Sequence, residues 1–132
     1  MPKRFGFPKA ERLKSRKQIE TLFAKGKSVS VFPVRAVYQF SAAEEAGLKA
    51  GVSASKRHFK KAVDRNRIKR LLREAYRLQK EELLLKVKEA GLSGAVFFLY
   101  TDKVIADFET IKTVVGKCLQ RLSKNIEREN PS

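Results

Sequence analysis

The sequence predicts an α+β fold, in which helices pack against a small mixed sheet. Segments with apolar residues at helical spacing alternate along the chain with short runs of β-branched and aromatic residues. Of the 132 residues, 42% are hydrophobic and nine are Phe, which suffices for a folded core. We predict a single domain with the element order α-β-β-α-β-α. Residues 1–11 are expected to form a basic extended arm, 12–124 the folded core and 125–132 a tail.

The first helix is predicted at about 12–25, where the apolar residues share one side and Gly26 follows as the C′ residue. These apolar residues are Leu13, Ile19, Leu22 and Phe23. Two strands then follow, VRAVYQF at 34–40 and LKAGVSAS at 48–55, which we predict to form a hairpin with a charged loop. Serines alternate with apolar residues in the second strand, so one of its faces packs and the other stays polar.

The second half of the chain predicts a long helix, a buried strand and a final helix. The long helix is expected at about 62–87, and GLSG then forms a turn into the strand AVFFLY at 95–100. Because this strand is apolar on both faces, we expect it inside the sheet. The final helix, at about 107–124, carries an apolar stripe formed by Phe108, Ile111, Val115, Cys118, Leu119 and Leu122.

The net charge of the chain indicates which class of molecule it binds. Thirty Lys and Arg against 14 Asp and Glu give a formal net charge of +16 and a pI near 10.3. Such an excess is typical of proteins that bind a polyanion, with nucleic acid ahead of an anionic membrane surface. We expect no signal peptide or membrane span, because no apolar run is long enough. A single cysteine, Cys118, excludes an internal disulfide and suits the cytoplasm.

The helix at 62–87 concentrates this charge on one side. Its seam of apolar residues includes Ile68 and Leu72, while the opposite arc, centred about 150° away on a helical wheel, is cationic and extends to Lys80. Between residues 56 and 80 there are eleven Lys and Arg and only two acids. A charged helix face is more often merely solvated, but then both signs are usually mixed. The near absence of acids favours a polyanion-binding surface.

The same helix resembles a known family. AVDRNRIKRLLREAYR is similar to the signature RNR helix of the protein subunit of bacterial ribonuclease P, with RNR at 65–67. RLKSRKQIETLFAKGKSV upstream and GVSASKR before the helix are also similar, so the resemblance covers about 12–124. It implies a basic protein that helps a catalytic RNA remove 5′ leaders from precursor tRNA. It also implies a left-handed crossover between the GVSAS strand and the next strand.

The resemblance assigns two groups of site residues. Those expected to bind the catalytic RNA are Arg57, Arg65, Asn66, Arg67, Lys69, Arg70, Arg73 and Arg77. Those expected to line a cleft for the single-stranded leader are Ile19, Phe23, Tyr38, Ser53, Ser55 and Lys56. An aromatic surface with hydroxyls and cations suits unstacked RNA. Ile19 departs from the family, which commonly has an aromatic residue there.

The resemblance further implies that the protein holds no cofactor and has no catalytic residue. Cleavage would be performed by Mg²⁺ held in the RNA, with precursor tRNA as the substrate and no protein partner required. The residues agree: His58 has no second ligand or triad partner nearby in sequence, and Cys118 lies on an apolar stripe. A ribosomal-type or chaperone-type RNA-binding module remains the alternative, because it would use the same basic helix. A peripheral membrane protein is a third, less favoured alternative.

Overall fold

The computed structural model describes residues 11–43 and 47–129, which form four helices and one four-stranded sheet. In chain order the elements are α1 (Arg16–Lys25), β1 (Lys27–Val31), β2 (Val34–Ala42), β3 (Gly47–Ala54), α2 (Ala62–Gln79), α3 (Glu81–Glu89), β4 (Leu92–Tyr100) and α4 (Phe108–Glu129). The predicted α+β class is confirmed. Two elements were not predicted, the short strand β1 and the separate helix α3.

The strand order in the sheet is β1-β2-β4-β3. β4 pairs antiparallel with β2 and parallel with β3, which confirms its predicted place inside the sheet. The predicted hairpin between the second and third strands is wrong, because β4 lies between them and β2 pairs instead with β1. The physical reason is the composition of β4: a strand that is apolar on both faces is most stable where both faces are covered.

The parallel pairing of β3 with β4 requires a crossover connection, and α2 with α3 supplies it. These helices and α4 pack on one side of the sheet, here called the α4 face, over the main hydrophobic core. α1 packs on the opposite side, the α1 face, over a smaller cluster of Leu13, Leu22, Val37 and Phe97. The left-handedness of the crossover stays a prediction.

α1 begins and ends at identifiable residues. Ser15 is its N-cap, and the hydroxyl accepts a hydrogen bond from the Gln18 N–H at 3.3 Å. The helix therefore starts later than the predicted residue 12. Gly26 follows it in an extended conformation, not a left-handed one, and a Cβ there would lie 2.5 Å from the Leu22 carbonyl oxygen and 2.9 Å from that of Tyr38. Close backbone approach, not a positive φ, requires this glycine.

The predicted helix at 62–87 is divided at Lys80. Lys80 lies between α2 and α3 and is only 2% exposed, and its Nζ lies 2.7 Å from the Glu11 carboxylate. The helical wheel predicts Lys80 among the exposed cations of α2, and that exposure is wrong because Glu11 pairs with its ammonium and the side chain is buried. Glu11, the last residue of the predicted arm, is thereby fixed to the core. Residues 1–10 of that arm lie outside the described residues.

α4 is longer than predicted. Asp107 precedes it and accepts a hydrogen bond from the Thr110 N–H at 2.8 Å, and the helix continues to Glu129 instead of ending at 124. Ile126 is 3% exposed, so the apolar stripe extends into the predicted tail. Five of the six predicted stripe residues are buried, and Phe108 packs partly against the same core. In the described part of the chain, no helix is long and apolar enough to cross a membrane.

Candidate nucleic-acid interface

α2 has a dry face and a cationic face, as its sequence predicts. Ile68, Leu72, Ala75 and Tyr76 are fully buried against the sheet and α4. On the outer side, Arg12 joins the polar residues of α2 around a surface groove of about 470 Å³. The α2 residues lining it are Asn66, Lys69, Arg70, Arg73, Glu74 and Arg77. We call this surface the α2 cation groove. Its concave, cation-rich lining suits the phosphates of a nucleic acid.

One carboxylate lies inside this groove. Glu74 accepts a hydrogen bond from Arg77 Nε at 3.3 Å and a second, shorter contact from Arg77 Nη2. This guanidinium holds the pKa of Glu74 below its usual value, and the carboxylate in turn raises the pKa of Arg77. Glu74 therefore neutralises part of the charge at the C-terminal end of α2, and the groove is most cationic around Lys69, Arg70 and Arg73.

Arg65 has a structural role that its sequence position does not reveal. Its Nη1 donates to the carbonyl oxygens of Phe59 and Lys60, both at 2.8 Å, and so holds the loop between β3 and α2. Phe59 is 7% exposed and anchors the same loop in the core. A guanidinium has five N–H donors, so Arg65 can hold this loop and still contact a phosphate. Arg67, two residues later, is exposed.

The remaining predicted cation, Arg57, lies in the same loop as Ser55 and Lys56. The Arg57 N–H donates to the Ser55 hydroxyl at 3.1 Å, which shapes the turn after β3. Arg57 and Lys56 are exposed, as is His58. The loop thus presents consecutive basic residues at the end of β3, next to the N-terminal turn of α2.

On the α1 face, an aromatic surface adjoins polar residues. Phe23 is 43% exposed and meets Phe97 edge-to-face, with 5.5 Å between ring centroids. Beyond Phe97 on β4, Leu99 lies opposite Ser53 of β3 and Arg35 of β2. We call these five residues, with the adjacent Ile19 of α1, the Phe23 surface. A partly exposed ring beside hydroxyl and guanidinium groups can stack an unpaired base and hold its phosphate.

Tyr38 does not belong to this surface, so its predicted place in the cleft is wrong. It is 4% exposed in the core on the α4 face, and its hydroxyl accepts a hydrogen bond from Asn125 Nδ2 at 2.8 Å. Successive strand residues point to opposite faces, so a shift of one position decides the side. The neighbour Val37 lies on the α1 face, packed with Phe97 and Leu22.

Three residues of the Phe23 surface were not predicted as site residues: Arg35, Phe97 and Leu99. The signal was the alternation of side chains along each strand. Arg35 lies two residues from Val37, and Leu99 lies two residues from Phe97, so each pair shares one face of the sheet. Choosing the face required knowing that α1 packs there. The other predicted leader-binding residues, Ile19, Phe23 and Ser53, are brought together on this face, with Ser55 and Lys56 just beyond the end of β3.

His58 and Cys118 lie in different surroundings, and His58 is exposed in the loop between β3 and α2. Cys118 is buried in the core, and burial raises the pKa of its thiol to about 11, which agrees with a small core residue. Within 11–43 and 47–129, no group of three or more His, Cys, Asp or Glu side chains is placed to hold a metal ion.

A cation-lined helix and an exposed aromatic surface on a small basic α+β fold define a nucleic-acid-binding protein. A family model described as Ribonuclease P matches residues 7–123. A ribonuclease P protein component of Porphyromonas gingivalis is 38% identical over 126 residues, covering 95% of this chain and 92% of that protein. That of Chlorobium phaeobacteroides is 30% identical over 125 residues and covers 86% of each chain.

Solved structures agree with the fold. The ribonuclease P protein of Staphylococcus aureus superposes with a TM-score of 0.66 at 23% identity, covering 86% of this chain and 95% of that one. The protein from Thermotoga maritima gives 0.62 at 23% identity, covering 84% and 96%. The chain belongs to the ribonuclease P protein family. It is an RNA-binding subunit of that endoribonuclease, acts in tRNA processing, and has the ribonuclease P RNA as its partner.

Proposed function

We propose that the α2 cation groove binds the ribonuclease P RNA while the Phe23 surface holds the unpaired 5′ leader of precursor tRNA. The observation that supports this most directly is the two-sided packing of α2. Its apolar face is fixed in the core, so the cations opposite project from one side of the helix before RNA arrives. A surface organised in advance loses less conformational entropy on binding than a flexible basic tail.

On the catalytic-RNA side, we assign contacts to the polar and cationic residues along α2: Asn66, Arg67, Lys69, Arg70 and Arg73. Arg57 and Arg65 would contact the RNA at the N-terminal end of the helix. Arg77, beside Glu74, would contact it at the C-terminal end. The arginines supply planar donors that match phosphate oxygens, and Lys69 supplies a point charge. Asn66 can both donate and accept, which suits a base edge or a ribose hydroxyl.

On the leader side, the proposal assigns stacking to Phe23 and apolar contact to Ile19. Ser53 and Ser55 offer hydroxyls, and Lys56 neutralises a phosphate of the leader. Contacts of this kind tolerate every base, because each base has a flat apolar face. A subunit that serves many precursor tRNAs needs such tolerance.

We further propose that the RNA and its bound Mg²⁺ perform the hydrolysis and that this chain contributes no catalytic group or cofactor. The protein cations would reduce repulsion between the catalytic RNA and the precursor, so that less Mg²⁺ is needed for both to associate. We place the protein in the cytoplasm, where precursor tRNA is made in bacteria. We also propose that it acts without a protein partner.

Reconstitution tests this function. The chain is mixed with a bacterial ribonuclease P RNA and a precursor tRNA that bears a 5′ leader, and cleavage is followed at low and high Mg²⁺. We expect the protein to accelerate cleavage strongly at low Mg²⁺ and little at high Mg²⁺. A ribosomal-type or chaperone-type module would leave cleavage unchanged at both concentrations, and that result would refute the proposal.

A further inference from the structure

α1 crosses the sheet and leaves a second groove on the flank away from the Phe23 surface. This groove has a volume of about 590 Å³, and its lining includes Lys17, Gln18 and Leu22 of α1. At about 100° per residue, Gln18 and Lys17 lie on the opposite side of Leu22 from Ile19 and Phe23. The two binding surfaces are therefore separated by the width of one helix.

The sheet supplies the other wall. Gln39 of β2, Ala95 of β4 and Lys49 of β3 are register partners in one cross-strand row, and all three line the groove. Ala95 packs with the small cluster beneath α1, while Gln39 and Lys49 are exposed on either side of it. The groove thus has an apolar floor, an amide on each wall and a cation on each wall. We call it the Gln39 groove.

This combination matches one class of ligand. A floor of Leu22 and Ala95 suits the flat apolar face of a base, and the amides of Gln18 and Gln39 can donate to and accept from a base edge. Lys17 and Lys49 can neutralise a phosphate. The volume falls within the range of about 300–1,000 Å³ that is usual for small-molecule sites. A carboxylate also lines the groove, that of Glu11, but it is paired with Lys80 at 2.7 Å.

We propose that the Gln39 groove binds an unpaired ribonucleotide of the 5′ leader, further from the cleavage site than the nucleotides on the Phe23 surface. This rests on the proposed function of that surface. The leader is the source we favour, because the Gln39 groove and the Phe23 surface both lie on the α1 face of the sheet and only α1 separates them. A leader that leaves the Phe23 surface across α1 reaches the groove next.

The test compares two precursor tRNAs in the reconstituted holoenzyme, one with a short leader that ends at the Phe23 surface and one with a longer leader. The groove variant is Gln39→Ala with Lys49→Ala. The control is Lys117→Ala with Gln120→Ala, two residues of the same types that are exposed on α4. All four side chains are exposed, so both variants should fold, and thermal unfolding checks this.

We expect the groove variant to weaken binding of the long-leader precursor about three- to tenfold and to leave the short-leader precursor unchanged. The control should affect both precursors equally and weakly. Equal losses for both precursors in the groove variant would show a general charge effect and overturn the proposal, as would no loss for either. Photoreactive uridines placed along the long leader should crosslink to the Lys17 flank of α1; crosslinks confined to the Phe23 flank would also overturn it.

Failure of the proposed function gives a different pattern. Phe23→Ala and the milder Phe23→Leu should weaken both precursors, because both leaders reach that surface. If neither change affects either precursor, the leader site itself is misplaced. If they act as expected while the groove variant has no effect, only the Gln39 groove is refuted.

Discussion

Lys80 Nζ lies 2.7 Å from the Glu11 carboxylate, and this ion pair joins the end of α2 to the segment before α1. The Lys80 side chain is almost completely buried. A charge in that position costs free energy unless it is paired. The ion pair explains how Lys80, which the sequence places on the cationic arc of α2, can instead be buried in the protein.

The first prediction contrasts Lys80 with Lys69. Lys69→Met should reduce the slope of log affinity for the ribonuclease P RNA against log salt by about 0.7–0.9, because one phosphate contact is lost. Lys80→Met should leave that slope unchanged, since its ammonium faces Glu11 and not the groove. For the wild-type protein, about six neutralised phosphates give a slope of about −4 to −5. Filter binding over a salt series measures all three slopes, and equal changes in the two variants would contradict the assignment.

The second prediction separates folding from RNA binding at Arg65 and Arg67. Arg65→Ala should lower the free energy of unfolding by about 1–3 kcal/mol, because two backbone carbonyls lose a charged donor. Arg67→Ala should change it by less than about 0.5 kcal/mol, as is usual for exposed residues. Urea unfolding measures both. Equal stability of the two variants would show that the contacts of Arg65 with Phe59 and Lys60 contribute nothing to the fold.

The third prediction concerns the contact of α2 with α4. Gln79 Nε2 donates to the carbonyl oxygens of Ala75 and Lys112, both at 2.9 Å, and a Cβ on Gly116 would lie 2.5 Å from Gln79 Oε1. Gly116→Ala favours a helix by about 1 kcal/mol but must displace this amide. We expect it to stabilise the protein only when Gln79→Ala is also present, with a coupling of about 1–2 kcal/mol in a double-mutant cycle. Additive effects would contradict it.

The fourth prediction is a pH dependence at the start of α4. The Thr110 hydrogen bonds lower the pKa of Asp107 below its ordinary value of 3.8. The folded state therefore binds this proton more weakly than the unfolded state does. The stabilisation is complete above pH 3.8 and is lost as the pH falls through the lower folded value. Asp107→Asn keeps an acceptor for Thr110 but has no charge.

The measurement compares melting temperatures of the wild-type protein and Asp107→Asn at several pH values. We expect the wild-type protein to be the more stable near neutrality, where its carboxylate also interacts favourably with the helix dipole. The difference should shrink as the pH falls through the folded value. A difference that is constant with pH would mean that the charge of Asp107 has no part in stability.

The fifth prediction follows from the net charge of +16. Self-repulsion lowers the stability of the free protein, and an anion that binds only the folded form should raise it. Sulfate should therefore raise the melting temperature more than chloride does at equal ionic strength. Arg70→Ala with Arg73→Ala should reduce this difference, whereas Lys117→Ala with Lys124→Ala, on α4, should preserve it. Identical effects of the two salts would exclude specific anion binding.

Local features of the sequence were sufficient to predict the α+β class, the two-sided character of α2, the interior place of β4 and the family. Each of these depends on local periodicity, charge or motif, which need no knowledge of distant residues. The apolar seam through Ile68 and Leu72 fixes which side of α2 is dry, and the cations opposite follow from that.

Three features could be known only from the folded chain: the sheet partners of each strand, the face that Tyr38 occupies and the point where the long helix divides. Strand pairing and the burial of Lys80 depend on contacts between residues far apart in sequence, such as Glu11 with Lys80. A shift of one position along a strand moves a side chain to the other face of the sheet. The faces of Tyr38 and Val37 therefore follow only from the packing of α1 on Val37 and Phe97.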